Sequence, residues 1–154
     1  MRIVDADMLS YALLENHIAT KYTRPFIERA LKGELKVYVT ATTLLETYNV
    51  LYRYYQIRPR EAVARKILCV AEGLTLIPCS KRGFYMAIKE NVPLGDTLLV
   101  STAIDNNIPI IVSNDKHVEK LAKKYGLILE NPIPKEIRKQ MIRKRILNII
   151  GSRN

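Results

Sequence analysis

Cysteine is scarce: only Cys69 and Cys79 occur among 154 residues. Neither belongs to a Cys-x-x-Cys pair, which sets aside a zinc site and a disulfide framework. Two buried thiols are expected, with a single bridge between them as the alternative. Histidine is as rare, with His17 and His117 alone, so no cluster competes for a borderline metal. Both are expected at the surface. No apolar run reaches the roughly 18 residues that a membrane span needs. The start of the chain places Asp5 and Asp7 where a signal peptide would be apolar. A soluble, cytoplasmic protein is expected. There is no internal repeat and no low-complexity tract. Acid is the minority charge: 15 Asp and Glu stand against 25 Lys and Arg, a net charge of +10. That excess favours a polyanionic partner, nucleic acid or an anionic membrane surface, and says nothing about fold.

What remains is one domain's worth of chain, 48% apolar, long enough to bury an ordinary core. Arg2-Ile3-Val4 reads as a short buried strand. Met8 to Leu14 reads as a helix, and Pro25 starts another that Gly33 closes. Lys36 to Thr40 is strand-like. Leu44, Leu45, Tyr48, Leu51, Tyr52 and Tyr55 then recur at helical spacing. Pro59 opens a helix that ends at Gly73, Leu74 to Ile77 forms a strand, and Phe84 to Ile88 is helical. Pro93-Leu94-Gly95 is a loop before a helix over Asp96 to Asn106. Ile108 to Val112 is the clearest strand, followed by a helix from His117 to Tyr125 that Gly126 ends, and a short strand at Leu127 to Leu129. Strands alternating with helices predict a parallel sheet covered on both faces.

Pro132 and Pro134 mark a boundary, giving a domain over 1–131 and an extension over 132–154. The extension carries Lys135, Arg138, Lys139, Arg143, Lys144, Arg145 and Arg153 against Glu136 alone. Ile142, Ile146, Ile149 and Ile150 share one helical face, which predicts a basic amphipathic helix that docks on the domain, a partner subunit, RNA or a membrane surface, docking with its basic face in solvent being the plainest reading.

Four acids fall at element ends. Asp5 ends the first strand. Glu46 lies in the first turn of the helix after the second. Asp96 and Asp115 each start a helix. In an open parallel sheet these ends crowd one edge, where ligands bind at the switch point of strand order. Carboxylates gathered there repel one another, and a hard divalent cation, Mg2+ or Mn2+, is the natural compensation. Each acid also has a plain structural use. Asp5, Asp96 and Asp115 suit helix caps, and Thr43-Leu44-Leu45-Glu46 fits a capping box. Asp7 reads as a cap, or as a group that supports the metal ligands without touching the metal. Asp105 lies nine residues from Asp96, about 900° round a helix and so on its opposite, solvated face. Tyr48, Tyr52 and Tyr55 read as core or dimer packing rather than a stacking platform for bases.

Taken together, Ile3-Val4-Asp5-Ala6-Asp7-Met8-Leu9, Thr43-Leu44-Leu45-Glu46, Asp96-Thr97-Leu98-Leu99-Val100-Ser101-Thr102-Ala103 and Ile110-Ile111-Val112-Ser113-Asn114-Asp115 resemble the PIN-domain family, and within it the small VapC-type toxin ribonucleases. The resemblance runs from about Arg2 to Leu129. It implies a three-layer α/β/α sandwich with a central parallel sheet, here followed by a basic C-terminal helix. It implies an endoribonuclease that cleaves RNA phosphodiester bonds with a metal-activated water and leaves 5′-phosphate and 3′-hydroxyl ends. Asp5, Glu46, Asp96 and Asp115 match the family's acidic catalytic and metal-binding positions, and Ser113 a hydroxyl position near the metal. A homodimer and a small antitoxin partner are implied as well. The alternative within the same fold is a non-catalytic RNA-binding or assembly module. Asp5-Ala6-Asp7 is also similar to the Asp-x-Asp of HAD-type phosphatases. However, position 9 is Leu where that family has Thr or Val, and its late acidic motif is not met.

Overall fold

A computed structural model describes residues 1–152; Arg153 and Asn154, the end of the expected extension, lie outside the described residues. The elements run β1 (Arg2–Val4), α1 (Ala6–Leu13), α2 (Thr20–Leu31), β2 (Val37–Thr40), α3 (Ala41–Asn49), a π-helical turn (Val50–Tyr54) and α4 (Arg60–Gly73). There follow β3 (Thr75–Ile77), α5 (Arg82–Glu90), α6 (Leu94–Asp105), β4 (Ile110–Val112), α7 (Lys116–Lys124), β5 (Ile128–Glu130) and α8 (Lys135–Gly151). The five strands form one sheet in the order β3-β2-β1-β4-β5, parallel throughout. From β1 the chain steps outward to β2 and β3, then returns to β4 on the other side. The strand order therefore reverses between β1 and β4, and the crevice of an open α/β sheet lies there.

Successive strand residues point to opposite faces, and this splits the core in two. Val4, Val37, Val39 and Val112 pack with Met8 and Leu9 of α1, Ile27 of α2, Leu44 of α3 and Val70 of α4. Ile3 and Ile111 face the other way, onto Leu99, Val100 and Ala103 of α6 and Val118 and Leu121 of α7. This is the three-layer α/β/α arrangement expected. Gly33 and Gly126 sit at φ +76° and +73°, the left-handed conformation that ends α2 and α7 without a Cβ clash.

The structure departs from expectation in several places. α2 begins at Thr20, with Pro25 inside it. Its start is fixed from outside: the Thr20 hydroxyl donates to the carbonyls of Tyr11 and Leu14, and the Arg24 guanidinium to those of Ala12 and Leu14. These bonds satisfy the open carbonyl end of α1. His17 is not a plain surface residue. It is half-buried, stacks on Tyr11 with ring centroids 4.5 Å apart, and its Nδ1 accepts from the Ala19 N–H at 3.1 Å. Cys69 is exposed rather than buried, and the half-buried Cys79 donates its Sγ to Thr42 at 3.3 Å; neither is bridged. Tyr48, Tyr52 and Tyr55 pack partly buried against Leu14, Leu51 and Val63.

Helix α8 forms, but docks otherwise than expected. Ile133, just before it, is 1% exposed, and Ile137 and Met141 pack on the core. Ile142, Ile146, Ile149 and Ile150 stand out from the domain.

Candidate metal and catalytic centre

Parallel register brings the ends of β1 and β4 level, Val4 beside Val112, so the next residues, Asp5 and Ser113, are neighbours. The Ser113 hydroxyl donates to Asp5 Oδ2 at 2.6 Å and accepts from the Asp115 N–H at 3.0 Å. Asp5 is 8% exposed, and its Oδ1 accepts from the Ala6 N–H at 2.7 Å, capping α1. Each oxygen keeps a lone pair after these bonds. Asp115 caps α7 with Oδ1, which accepts from the N–H groups of His117 and Val118 at 2.7 and 3.1 Å. Cap and site therefore coexist in one carboxylate.

Glu46 is not in a capping box. Thr40 caps α3, its hydroxyl accepting from the Thr43 N–H at 3.1 Å, and Glu46 is the sixth residue of the helix. Its carboxylate lies against α6, where a side chain at Gly95 would run into Glu46 Oε1. Asp96 is likewise no cap: α6 begins at Leu94 after Pro93, leaving Asp96 as its third residue. Acids in the first turn of a helix are stabilised by its macrodipole. Asp105 lies away from the site and pairs with Arg82 at 2.5 Å.

The four acids share one field. Burial raises the pKa of Asp5, with Asp115 adding to the rise and the Ser113 hydrogen bond opposing it. Burial and then Asp5 raise that of Glu46. Asp96 is pushed up to about 7, by burial first and then by Asp115, Asp5 and Glu46. A neighbouring carboxylate adds to burial in each of these three rises, so these side chains stand within Coulomb range in a poorly solvated place.

The sequence offered Asp7 as a cap first and as a support for the ligands second, and gave Asn114 no role. Asp7 Oδ2 accepts from the Asn114 N–H at 2.9 Å, tying α1 to the loop after β4. Burial and the nearby Asp5 raise its pKa well above the usual range. Asn114 in turn accepts from Asn131 at 2.8 Å. The signal available was Asp7's two-residue offset from Asp5 in an Asp-x-Asp.

The donors at this edge are carboxylate and hydroxyl oxygens, the set that suits a hard divalent cation. Their charge and mutual repulsion fit one. Among the described residues, no three His, Cys, Asp or Glu side chains already stand together as a formed ligand cage.

A family model described as PIN domain matches residues 2–124. No curated protein matches the sequence. Among solved structures, VapC20 of Mycobacterium tuberculosis, described as a sarcin-ricin loop cleaving toxin, aligns with TM-score 0.61 at 12% identity over 78% of this chain and 94% of that one. PAE2754 from Pyrobaculum aerophilum aligns with TM-score 0.61 at 18% identity, over 92% and 87%. VapBC2 from Rickettsia felis, bound to a DNA fragment from its promoter, aligns with TM-score 0.58 at 18% identity, over 84% and 97%. At such identities the likeness is one of fold.

Proposed function

The chain belongs to the PIN domain family, and on that premise we propose that it is a metal-dependent endoribonuclease acting at the β1/β4 edge. The observation that carries the proposal is the gathering of Asp5, Glu46, Asp96 and Asp115, far apart in sequence, at one sheet edge, where burial first and then the charges of Asp115, Asp5 and Glu46 push Asp96 up to about 7. Asp5, Asp96, Asp115 and Glu46 would hold the cation, Mg2+ or Mn2+. When bound, it supplies positive charge that offsets the charge developing on the phosphate and lowers the pKa of an attacking water.

The protein's own groups prepare that site. The Ser113 hydroxyl and the Ala6 N–H fix both oxygens of Asp5. The Asp115 cap engages Oδ1 alone, and Oδ2 has no hydrogen-bond partner among the described residues. Gly95 lets Glu46 reach α6 beside Asp96. A net charge of +10 draws in the RNA backbone and makes binding salt-dependent.

The named relatives support a place in a toxin–antitoxin pair, with a small antitoxin as partner. A homodimer is proposed through α5, where Phe84, Tyr85 and Ile88 are 53%, 75% and 82% exposed.

The experiment uses the full chain on single-stranded RNA with Mg2+ or Mn2+. Wild-type protein cleaves and leaves 5′-phosphate ends, and chelator abolishes this. Asp5→Asn and Asp96→Asn each lose cleavage by about a hundredfold or more, the scale of losing one charge-stabilising group. Cleavage that survives chelation, or both variants at full activity, overturns the mechanism. Tight, salt-sensitive RNA binding without products would favour the non-catalytic alternative.

A further inference from the structure

Helix α8 carries aliphatic residues on two sides. Ile137 and Met141 take one side to the core. Ile142, Ile146, Ile149 and Ile150 are 48%, 51%, 52% and 57% exposed on the other. At about 100° per residue these four fill a sector about 100° wide, centred about 145° round the helix from Ile137 and Met141. One helix cannot lay both sides on the same domain. Beyond Met141 the domain-facing side turns polar with Lys144 and Arg145. The latter's charge bears on Tyr11 and Tyr55, and that of Lys144 on His17. The outer sector is bordered by Arg143, and the exposed Lys139 lies on the same side one turn earlier. In all, α8 has six cations and one acid, Glu136.

We propose that α8 beyond Met141 is a docking surface for an anionic lipid bilayer. The helix lies in the headgroup plane, with Ile142, Ile146, Ile149 and Ile150 at the acyl boundary and Arg143 and Lys139 reaching lipid phosphates. From Ile142 onward the helix sets an aliphatic sector opposite Lys144 and Asn148 with Arg143 at its edge, the amphipathic arrangement that binds this way. It lies on the membrane and does not cross it, and no helix among the described residues is long and apolar enough to span one.

Charge decides against the other occupants. A second copy would bring six cations against six, and like charges face to face oppose pairing. RNA would take the cations and leave the isoleucines wet. A protein partner needs about 800 Å² of surface on each side, whereas Ile142 to Ile150 is roughly 13 Å of one helix. The surface is independent of the nuclease reading.

The test sediments the full chain with vesicles of phosphatidylglycerol and phosphatidylcholine, or of phosphatidylcholine alone. The chain pellets with the anionic vesicles and binds the neutral ones at least about tenfold more weakly, since each basic residue adds to attraction at an anionic surface. The double variant Ile146→Ser/Ile149→Ser loses about tenfold or more of that binding through lost apolar contact, while its thermal unfolding and RNA cleavage stay at wild-type level. Three outcomes overturn the proposal. One is no association with anionic vesicles. Another is equal association by the double variant, which marks plain electrostatic adsorption. The third is a dimer in sedimentation velocity that the double variant abolishes, which assigns the face to a second copy.

Discussion

Asp5 and Asp96 answer to different surroundings. Asp5 is held by a serine hydroxyl and a backbone N–H, and no side-chain hydrogen bond offsets the burial and like charge that lift Asp96 to about 7. Linkage gives the sign. An acid whose pKa is higher folded than unfolded binds more protons in the native state between the two values, so stability falls as pH rises through that window. The window for Asp96 runs from 3.8 to about 7, and Asp5, Asp7 and Glu46 shift the same way. In chelator, the midpoint of thermal unfolding is therefore expected to drop as pH goes from 5 to 8, by roughly 2–4 °C for each kcal/mol lost in a chain of this size. Asp96→Asn flattens the drop. Mg2+ or Mn2+ at pH 8 raises the midpoint, because a ligand of the native state alone stabilises it. A midpoint that climbs steadily from pH 5 to 8 in the metal-free protein would contradict this account.

Helices set where these carboxylates stand, and α6 shows how tightly. At Gly83 of α5 an added Cβ would lie 2.7 Å from Leu98 Cα and 2.9 Å from Leu98 N. Both are backbone atoms of α6 that cannot rotate away. Gly83→Ala is expected to cost about 1–3 kcal/mol, the usual range for overpacking, read as a lower urea midpoint at unchanged slope. Cleavage should fall as well, since α6 carries Asp96. The pattern of elements was legible from periodicity and from Gly33 and Gly126, because turns and amphipathic faces are local. Their starts were less so. Thr43 and Glu46 satisfy a capping box in sequence, yet Thr40 took the cap, since β2 runs straight into α3 and its last residue holds the extended conformation a cap requires. Pro25 resembled a helix start, but carbonyls left open at the end of α1 drew Thr20 and Arg24 and began α2 five residues earlier.

Across the whole molecule, Ile133 links the last segment to the core, with a side chain 1% exposed in the cluster that holds Val4, Met8 and Val112. Ile133→Ala is expected to cost about 2–5 kcal/mol, as for other buried isoleucines truncated to alanine, measured by denaturant unfolding of the full chain. A change below about 0.5 kcal/mol, the usual size for an exposed position, would show that the segment from Ile133 onward adds nothing to the fold. The α/β class and the positions of Asp5, Glu46, Asp96 and Asp115 could be read from the chain itself, because strand and helix periods and the ends of elements are properties of neighbouring residues. Which of those acids were free for chemistry could not. Asp115 caps and also faces the crevice, Glu46 lies in a second turn against Gly95, and Asp7 braces the loop at Asn114. Asp5, Asp7 and Glu46 each depend on a partner some 50 to 110 positions away that only strand register and helix packing bring within hydrogen-bonding or van der Waals reach. The isoleucines of α8 make the same point in reverse: sequence put them on one face, and only the docked angle of Ile137 and Met141 turned that face outward.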